Sequence, residues 1–294
     1  LGVVFTHSYG YLFTGGKLSV QIFYMISGYL MSLILINQKT YQNLFKFYLT
    51  RLLRLFPIYW FVALLTLIYF LIKYKLGYEE DFFQTYFDVG FLGSCSLIIS
   101  NIILFGQDWL MFTGVSDGVF HFVTDFRNSD ILVYNGLLIP QAWTLGIELT
   151  FYAICPFILK KKNIWVTLLI FSILVRIYLI HIGLGTKDPF SYRFFPSELS
   201  LFLLGAFSHQ FLLPLYNKYS LLENKLIING ITYFIILFII SFSFLPFNRT
   251  LLSLLLISII TLSLPIISKY QRISKIDHWI SKFSYPVYIS HMLI

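Results

Sequence analysis

Charge is what this chain has least of. Only 12% of its 294 residues are Asp, Glu, Lys or Arg, against about 25% in soluble domains. With a mean hydropathy of +0.79, it has too little polar surface to clothe a water-soluble body, and a polytopic helical membrane protein is the class that remains. Cysteine is scarce too. Cys95 and Cys155 lie in or beside apolar runs, which argues against a disulfide framework and reads as buried, inert thiols. No His-Glu-x-x-His or Cys-x-x-Cys spacing supports a metal site. No Gly-x-Ser-x-Gly elbow, P-loop or dinucleotide glycine pattern supports a soluble hydrolase or nucleotide fold. Internal repeats, low-complexity linkers and the basic region and cleavage site of a signal peptide are also missing. The net charge of +8 is scattered through short loops, so membrane topology explains it better than nucleic acid does.

What is present is a series of apolar runs. A bilayer core about 30 Å thick needs roughly 20 apolar residues in a helix. Runs approaching this lie near 1–13, 18–36, 57–72, 142–159, 163–180, 197–213, 226–245, 250–267 and 286–294. The expectation is all-α: a polytopic helical bundle of about nine spans. Because the first and last runs are cut short, the chain reads as a single membrane domain, 1–294, incomplete at both ends.

Basic residues favour the cytoplasmic side. Loop 37–56 holds Lys39, Lys46, Arg51 and Arg54 and no acid, Lys160–Lys162 form one block, and loop 268–285 carries four bases against Asp277. All three are expected to face the cytoplasm. The acidic stretches 73–90 and 106–141 are expected outside. An even number of crossings must then separate loop 37–56 from the triple lysine. A tenth run, 91–105, interrupted by Gly93, Ser94, Ser96, Ser100 and Asn101, therefore reads as re-entrant or interfacial, with its backbone buried by protein.

Ionisable groups inside spans cost a few kcal/mol and usually face a bundle interior or a wet cavity. His7 reads either as an interfacial core histidine or as a general base, since imidazole titrates near neutrality. Glu148, six residues into an apolar run, needs a cation, a donor network or a raised pKa, and a buried bridge to Arg176 is the structural option. Arg176 is expected to snorkel, and Glu198 to sit in a helix's first turn, near the dipole's positive end. His181 and His209 read as interfacial or packing residues. His291 poses the same choice as His7.

Five stretches share an order. "VVFTHSYG" contains His7, and "VQIFYMISGYLMS" contains Ser27 and Gly28. "YLTRLLRLFPIYW" sets Arg51, Arg54 and Pro57 in an Arg-x-x-Arg-x-x-Pro pattern, with Pro57 suited to the first turn of a span. "AWTLGIELTFY" carries Trp143, Leu145, Glu148, Phe151 and Tyr152, and "FSYPVYISHMLI" carries Ser284, Tyr285, Pro286, Tyr288 and His291. Together they resemble the acyltransferase-3 family of integral membrane acyltransferases along the whole chain. Thr144 stands where the family usually has serine. The family's arginine about ten residues before its first histidine, and its closing span, fall beyond this chain.

The resemblance implies transfer of an acyl group, most often acetyl, from cytoplasmic acyl-CoA to a hydroxyl of an envelope glycan such as exopolysaccharide, O-antigen or capsule, or of a lipid-linked sugar. It implies a multi-pass protein of the bacterial inner membrane, in contact with lipid, with no metal and no nucleic acid. The chemistry is compatible with the residues. Arg51 and Arg54, at i and i+3, share a helix side, and arginine forks match the phosphates of coenzyme A. His7 can take a proton from the incoming hydroxyl while Glu148 orients it or binds the acceptor. Ser27, Trp143, Tyr152, Tyr288 and His291 are the expected supporting residues. Without the companion stretches, Arg51 and Arg54 would read as a topology signal that binds lipid headgroups. A transporter or flippase is the rival class, but it predicts repeats or paired broken helices. A non-enzymatic scaffold leaves His7 and Glu148 without a purpose.

Overall fold

The computed structural model describes residues 13–38, 43–78, 81–271 and 275–291, together with Val3. Among the described residues, six helices are long and apolar enough to cross a membrane. They are α1 (Gly15–Asn37), α2 (Leu44–Lys75), α6 (Lys162–His181), α7 (Phe195–Lys218), α8 (Lys225–Phe244) and α9 (Arg249–Lys269). Between and after them come α3 (Asp81–Asp88), α4 (Gly90–Ile103), α5 (Trp143–Ile158) and α10 (Lys275–Ser290).

The nine expected spans are not all matched. Six coincide with the long helices. The run at 142–159 forms α5, only 16 residues long, and 286–294 is described only to His291, one residue past the end of α10. The run at 1–13 falls almost wholly outside the described residues. Segment 91–105 is helical over 14 residues, roughly 21 Å at 1.5 Å per residue and short of a bilayer core.

Two further differences concern local structure. Residues 44–56 are not a loop: α2 starts at Leu44 and runs through Pro57. The proline therefore sits inside the helix, where it withholds the N–H that the Leu53 carbonyl would accept. The chain is also not purely helical. Thr113–Ser116 (β1) and Val119–Phe122 (β2) pair antiparallel, Thr113 opposite Phe122, around a turn in which Asp117 and Gly118 both take positive φ.

The residues fall into two compact units that alternate along the chain. The first draws on Leu1–Leu44, Cys155–Phe171 and Glu198–Tyr288. Here α1 and α7 touch backbone to backbone. A Cβ on Gly28 would stand 1.8 Å from the Phe202 carbonyl oxygen, and one on Gly205 1.9 Å from that of Met25. Glycines allow this approach where lipid supplies no hydrophobic drive, and Tyr24 stacks on Phe202 with ring centres 4.7 Å apart. Serine and tyrosine hydroxyls tie α9 in, as Ser208 Oγ donates to the Thr261 carbonyl at 2.8 Å and Tyr216 to that of Leu262 at 2.9 Å.

The second unit draws on Phe45–Ile154, Ser172–Ser197 and Ile289–Ile294. Its polar interior explains the interruptions in run 91–105. Asn101 donates to the Gly136 carbonyl (2.9 Å) and accepts from the Leu138 N–H (2.9 Å), while Tyr59 of α2 donates to the Asn101 carbonyl (2.9 Å). These bonds satisfy loop and helix-end backbone that would otherwise be costly at depth. Trp60 adds a fourth, donating to the Ile102 carbonyl at 3.0 Å.

Candidate active site

Helix α5 carries the first group of candidates. Glu148 and Tyr152, at i and i+4, share one face, and both are buried at 3% and 4% exposure. The Tyr152 hydroxyl donates to Glu148 Oε1. From α2, the guanidinium carbon of Arg51 lies 6.0 Å from the centre of the Tyr152 ring and 5.8 Å from that of Phe47. Arg51 is buried, whereas Arg54, one turn further on, is exposed. The two arginines share a helix side but not an environment. Tyr48 pins this part of α2 to α5 by donating to the Ala153 carbonyl at 2.8 Å.

The opposite side of α5 meets two polar residues that sequence reasoning passed over within an acidic loop. α4 closes on Leu104, whose φ of 61° is left-handed and costs roughly 1–2 kcal/mol for a residue with a Cβ. The turn delivers Gln107 and Asp108, at 0% and 1% exposure. Gln107 Nε2 donates to Tyr59 Oη (2.9 Å) and to the Ser100 carbonyl (3.2 Å). Among the described residues neither Gln107 Oε1 nor Asp108 Oδ1 finds a donor. Gly146 makes room for the carboxyl: a Cβ there would lie 2.7 Å from Asp108 Oδ1. Burial pushes the Asp108 carboxyl up to about 7. The visible signal was two adjacent polar residues, "QD", held between Gly106 and Trp109.

The remaining candidates are distributed. Trp143 opens α5 and is buried, and Tyr192 meets its ring edge-on with centres 5.3 Å apart. His291 is buried in the second unit, where Gln141 Nε2 donates to the nearby Ile289 carbonyl at 2.9 Å. Ser27, buried on α1, and Tyr288, half-buried on α10, belong to the first unit. His7 lies outside the described residues. Glu198 is the fourth residue of α7 and wholly buried, and it accepts from Gln21 Nε2 at 3.2 Å. Arg176 donates to the Ser197 carbonyl at 3.1 Å. His209 is a satisfied core histidine, 2.9 Å from Ser32 Oγ and 3.2 Å from Asn37 Nδ2, on a π-helical turn. His181 ends α6, exposed. Cys155 is buried as expected but Cys95 only half-buried, and both are free thiols.

Chemically, the α2–α5 face joins a cation, a phenol and a carboxylate in one buried line, with donors and acceptors suited to proton handling and to stabilising an oxyanion. Comparison with known proteins decides the family. The acyltransferase-3 model, described as an acyltransferase domain, matches residues 1–294. The chain belongs to the acyltransferase-3 family. It is an integral membrane protein of an acyltransferase family. It is also 30% identical over 165 residues to an uncharacterized protein of Aquifex aeolicus (strain VF5), covering 53% of this chain and 69% of that one. No solved structure matches it. The acyltransferase-3 stretches that carry Arg51 and Glu148 are thus both seated in the second unit.

Proposed function

We propose that this acyltransferase moves an acyl group, acetyl by resemblance to its family, from acyl-CoA on the cytoplasmic side to a hydroxyl of an envelope glycan or lipid-linked sugar, in the bacterial inner membrane. The observation that carries the proposal is the Arg51–Tyr152–Glu148 line. It joins two of the family's stretches, about a hundred residues apart in sequence, inside one compact unit.

In the reaction the acceptor oxygen attacks the thioester carbonyl carbon. A C–O bond forms, the C–S bond breaks, and the hydroxyl proton passes by way of a base to the departing thiolate, giving an ester and free coenzyme A. Arg54, exposed, offers its fork to the coenzyme's phosphates, and Arg51, buried, faces the thioester end. His7 serves as the base, and Glu148, held by Tyr152, binds the acceptor hydroxyl. Trp143 and His291, in the same unit as Glu148, are its supporting residues.

Membranes containing the protein should move label from [14C]acetyl-CoA into a glycan or lipid-linked saccharide fraction. His7→Ala should abolish the transfer and Arg54→Ala should raise the KM for acetyl-CoA. Full transfer by His7→Ala would remove the base assignment, and no transfer by the wild type to any hydroxyl acceptor would sink the proposal.

A further inference from the structure

A second group of charged and aromatic side chains gathers beside Trp143, in the loop 182–194 and the turn at 125–128. One carboxylate, Asp188, is buried at 8% exposure. Its Oδ1 accepts from Arg193 Nε at 2.6 Å. Its Oδ2 accepts from Arg193 Nη2 (3.2 Å), Arg127 Nη2 (2.8 Å) and the Tyr192 hydroxyl (3.1 Å). Two guanidiniums thus meet on the Asp188 carboxylate, while the carboxylate of the turn, Asp125, accepts from the Arg127 backbone N–H at 3.1 Å.

Arg193 is held by several partners. Its guanidinium carbon lies 4.1 Å from the Trp143 ring centre and 4.7 Å from that of Tyr192, and Nη2 also donates to the Tyr192 hydroxyl at 2.8 Å. Nη1 is enclosed and has no acceptor among the described residues. An enclosed guanidinium N–H left unmet is costly, by the general penalty for buried charged donors. An oxygen acceptor would satisfy it, and an anionic one most strongly, through a charge-assisted bond. Arg127, 60% exposed, presents the rest of its fork to solvent beside it. Trp143 also begins α5, which bears Glu148 five residues later, roughly 7 Å along the helix axis.

We propose that Arg127 and Arg193 form an anion subsite for the acyl acceptor, which is therefore a saccharide carrying a carboxylate or phosphate near the hydroxyl that is acylated. The word acceptor rests on the acyl-transfer proposal above, whereas anion binding itself does not. Asp188 and Tyr192 are positioning residues that hold the Arg193 fork against Trp143.

Binding to the full chain in phosphatidylcholine nanodiscs, free of anionic lipid, tests this with three probes: methyl β-D-glucuronide, α-D-glucose 1-phosphate and methyl β-D-glucoside. One of the two anionic sugars should bind about tenfold more tightly than the glucoside, the scale of a single charge-assisted bond. The anion that wins identifies the group. Arg127→Ala and Arg193→Gln should each reduce the preference several-fold, and about 0.5 M salt should shrink it. Arg127, being exposed, carries the test if Arg193→Gln fails to fold. Equal binding of all three sugars, or a preference unchanged in Arg127→Ala, would overturn the subsite and leave a loop staple. Labelled acetyl transfer on the same samples separates the two proposals: anion binding without any acyl transfer removes the proposed reaction and keeps the subsite.

Discussion

Arg51 of α2 lies with its guanidinium carbon 6.0 Å from the centre of the Tyr152 ring, and that tyrosine donates its hydroxyl to Glu148. A cation near the ring face is worth about 0.5–2 kcal/mol, more as water is removed. The donor bond meanwhile fixes one carboxylate oxygen in a region with little water. The phenol thus links the arginine of one motif to the carboxylate of another.

Removing that phenol's hydroxyl should uncouple the line without emptying its space. Tyr152→Phe is expected to lower labelled acetyl transfer about tenfold, the loss of one bond to a charged group, with a near-native melting temperature. Glu148→Gln, which keeps the shape and removes the charge, should cost about a hundredfold or more. Unchanged transfer in Glu148→Gln would show that the carboxylate only packs.

The two arginines should separate by environment. Arg51→Lys replaces a planar, weakly hydrated fork in a buried setting with a compact ammonium, so it should lower both melting temperature and transfer. Arg54→Lys, at an exposed position, should leave stability within about 0.5 kcal/mol and change only the KM for acyl-CoA. Thermal melts in detergent and initial rates at varied acetyl-CoA check both. Equal effects at the two positions would contradict the buried role of Arg51.

Much of this arrangement was visible in residue order, and the failures have physical causes. Apolar length located six spans because hydrocarbon thickness is a one-dimensional constraint. It misjudged Pro57, since the turns before the proline are amphipathic and their basic residues resemble a loop, yet α2 begins 13 residues earlier. Ser100 and Asn101 signalled that run 91–105 was unusual, but not that the Asn101 side chain satisfies the loop at 136–138. Glu148 and Tyr152 stood out by spacing on a single helix. Asp108 and Arg193 did not, because each draws its meaning from a residue far along the chain: Gly146 for one, Asp188 and Trp143 for the other. Gly28 was legible as part of a motif, and only the backbone contact with Phe202 shows why nothing larger fits.

That contact makes a sharp prediction. Gly28→Ala would place a methyl 1.8 Å from a backbone oxygen, which no rotamer change relieves, so α1 and α7 must separate. The expected cost exceeds the roughly 1–3 kcal/mol of ordinary overpacking and should appear as poor yield or aggregation in size-exclusion chromatography. Gly230→Ala is the control: nothing lies within 4 Å of its added Cβ, and on α8 it should be neutral or gain up to about 1 kcal/mol from helix propensity. Equal behaviour of the two variants would mean that the α1–α7 approach is not tight.

Asp108 should give the protein a pH-dependent stability. Its carboxyl is pushed by burial from an ordinary 3.8 to about 7, so between those values the folded protein keeps a proton that the unfolded chain has released. Stability from this group is then complete below about pH 4 and is lost as pH rises to about 7. The full span is on the order of a few kcal/mol at about 1.4 kcal/mol per pKa unit. Asp108→Asn removes the ionisation and keeps the shape. Its melting temperature should match the wild type near pH 4 and exceed it increasingly up to pH 8. If the carboxyl also serves the reaction, the stabler variant will transfer label more slowly at pH 7, since sites kept for activity often hold groups that cost stability. A melting difference that stays flat from pH 4 to pH 8 would show that Asp108 is ionised throughout, with a donor or water satisfying Oδ1.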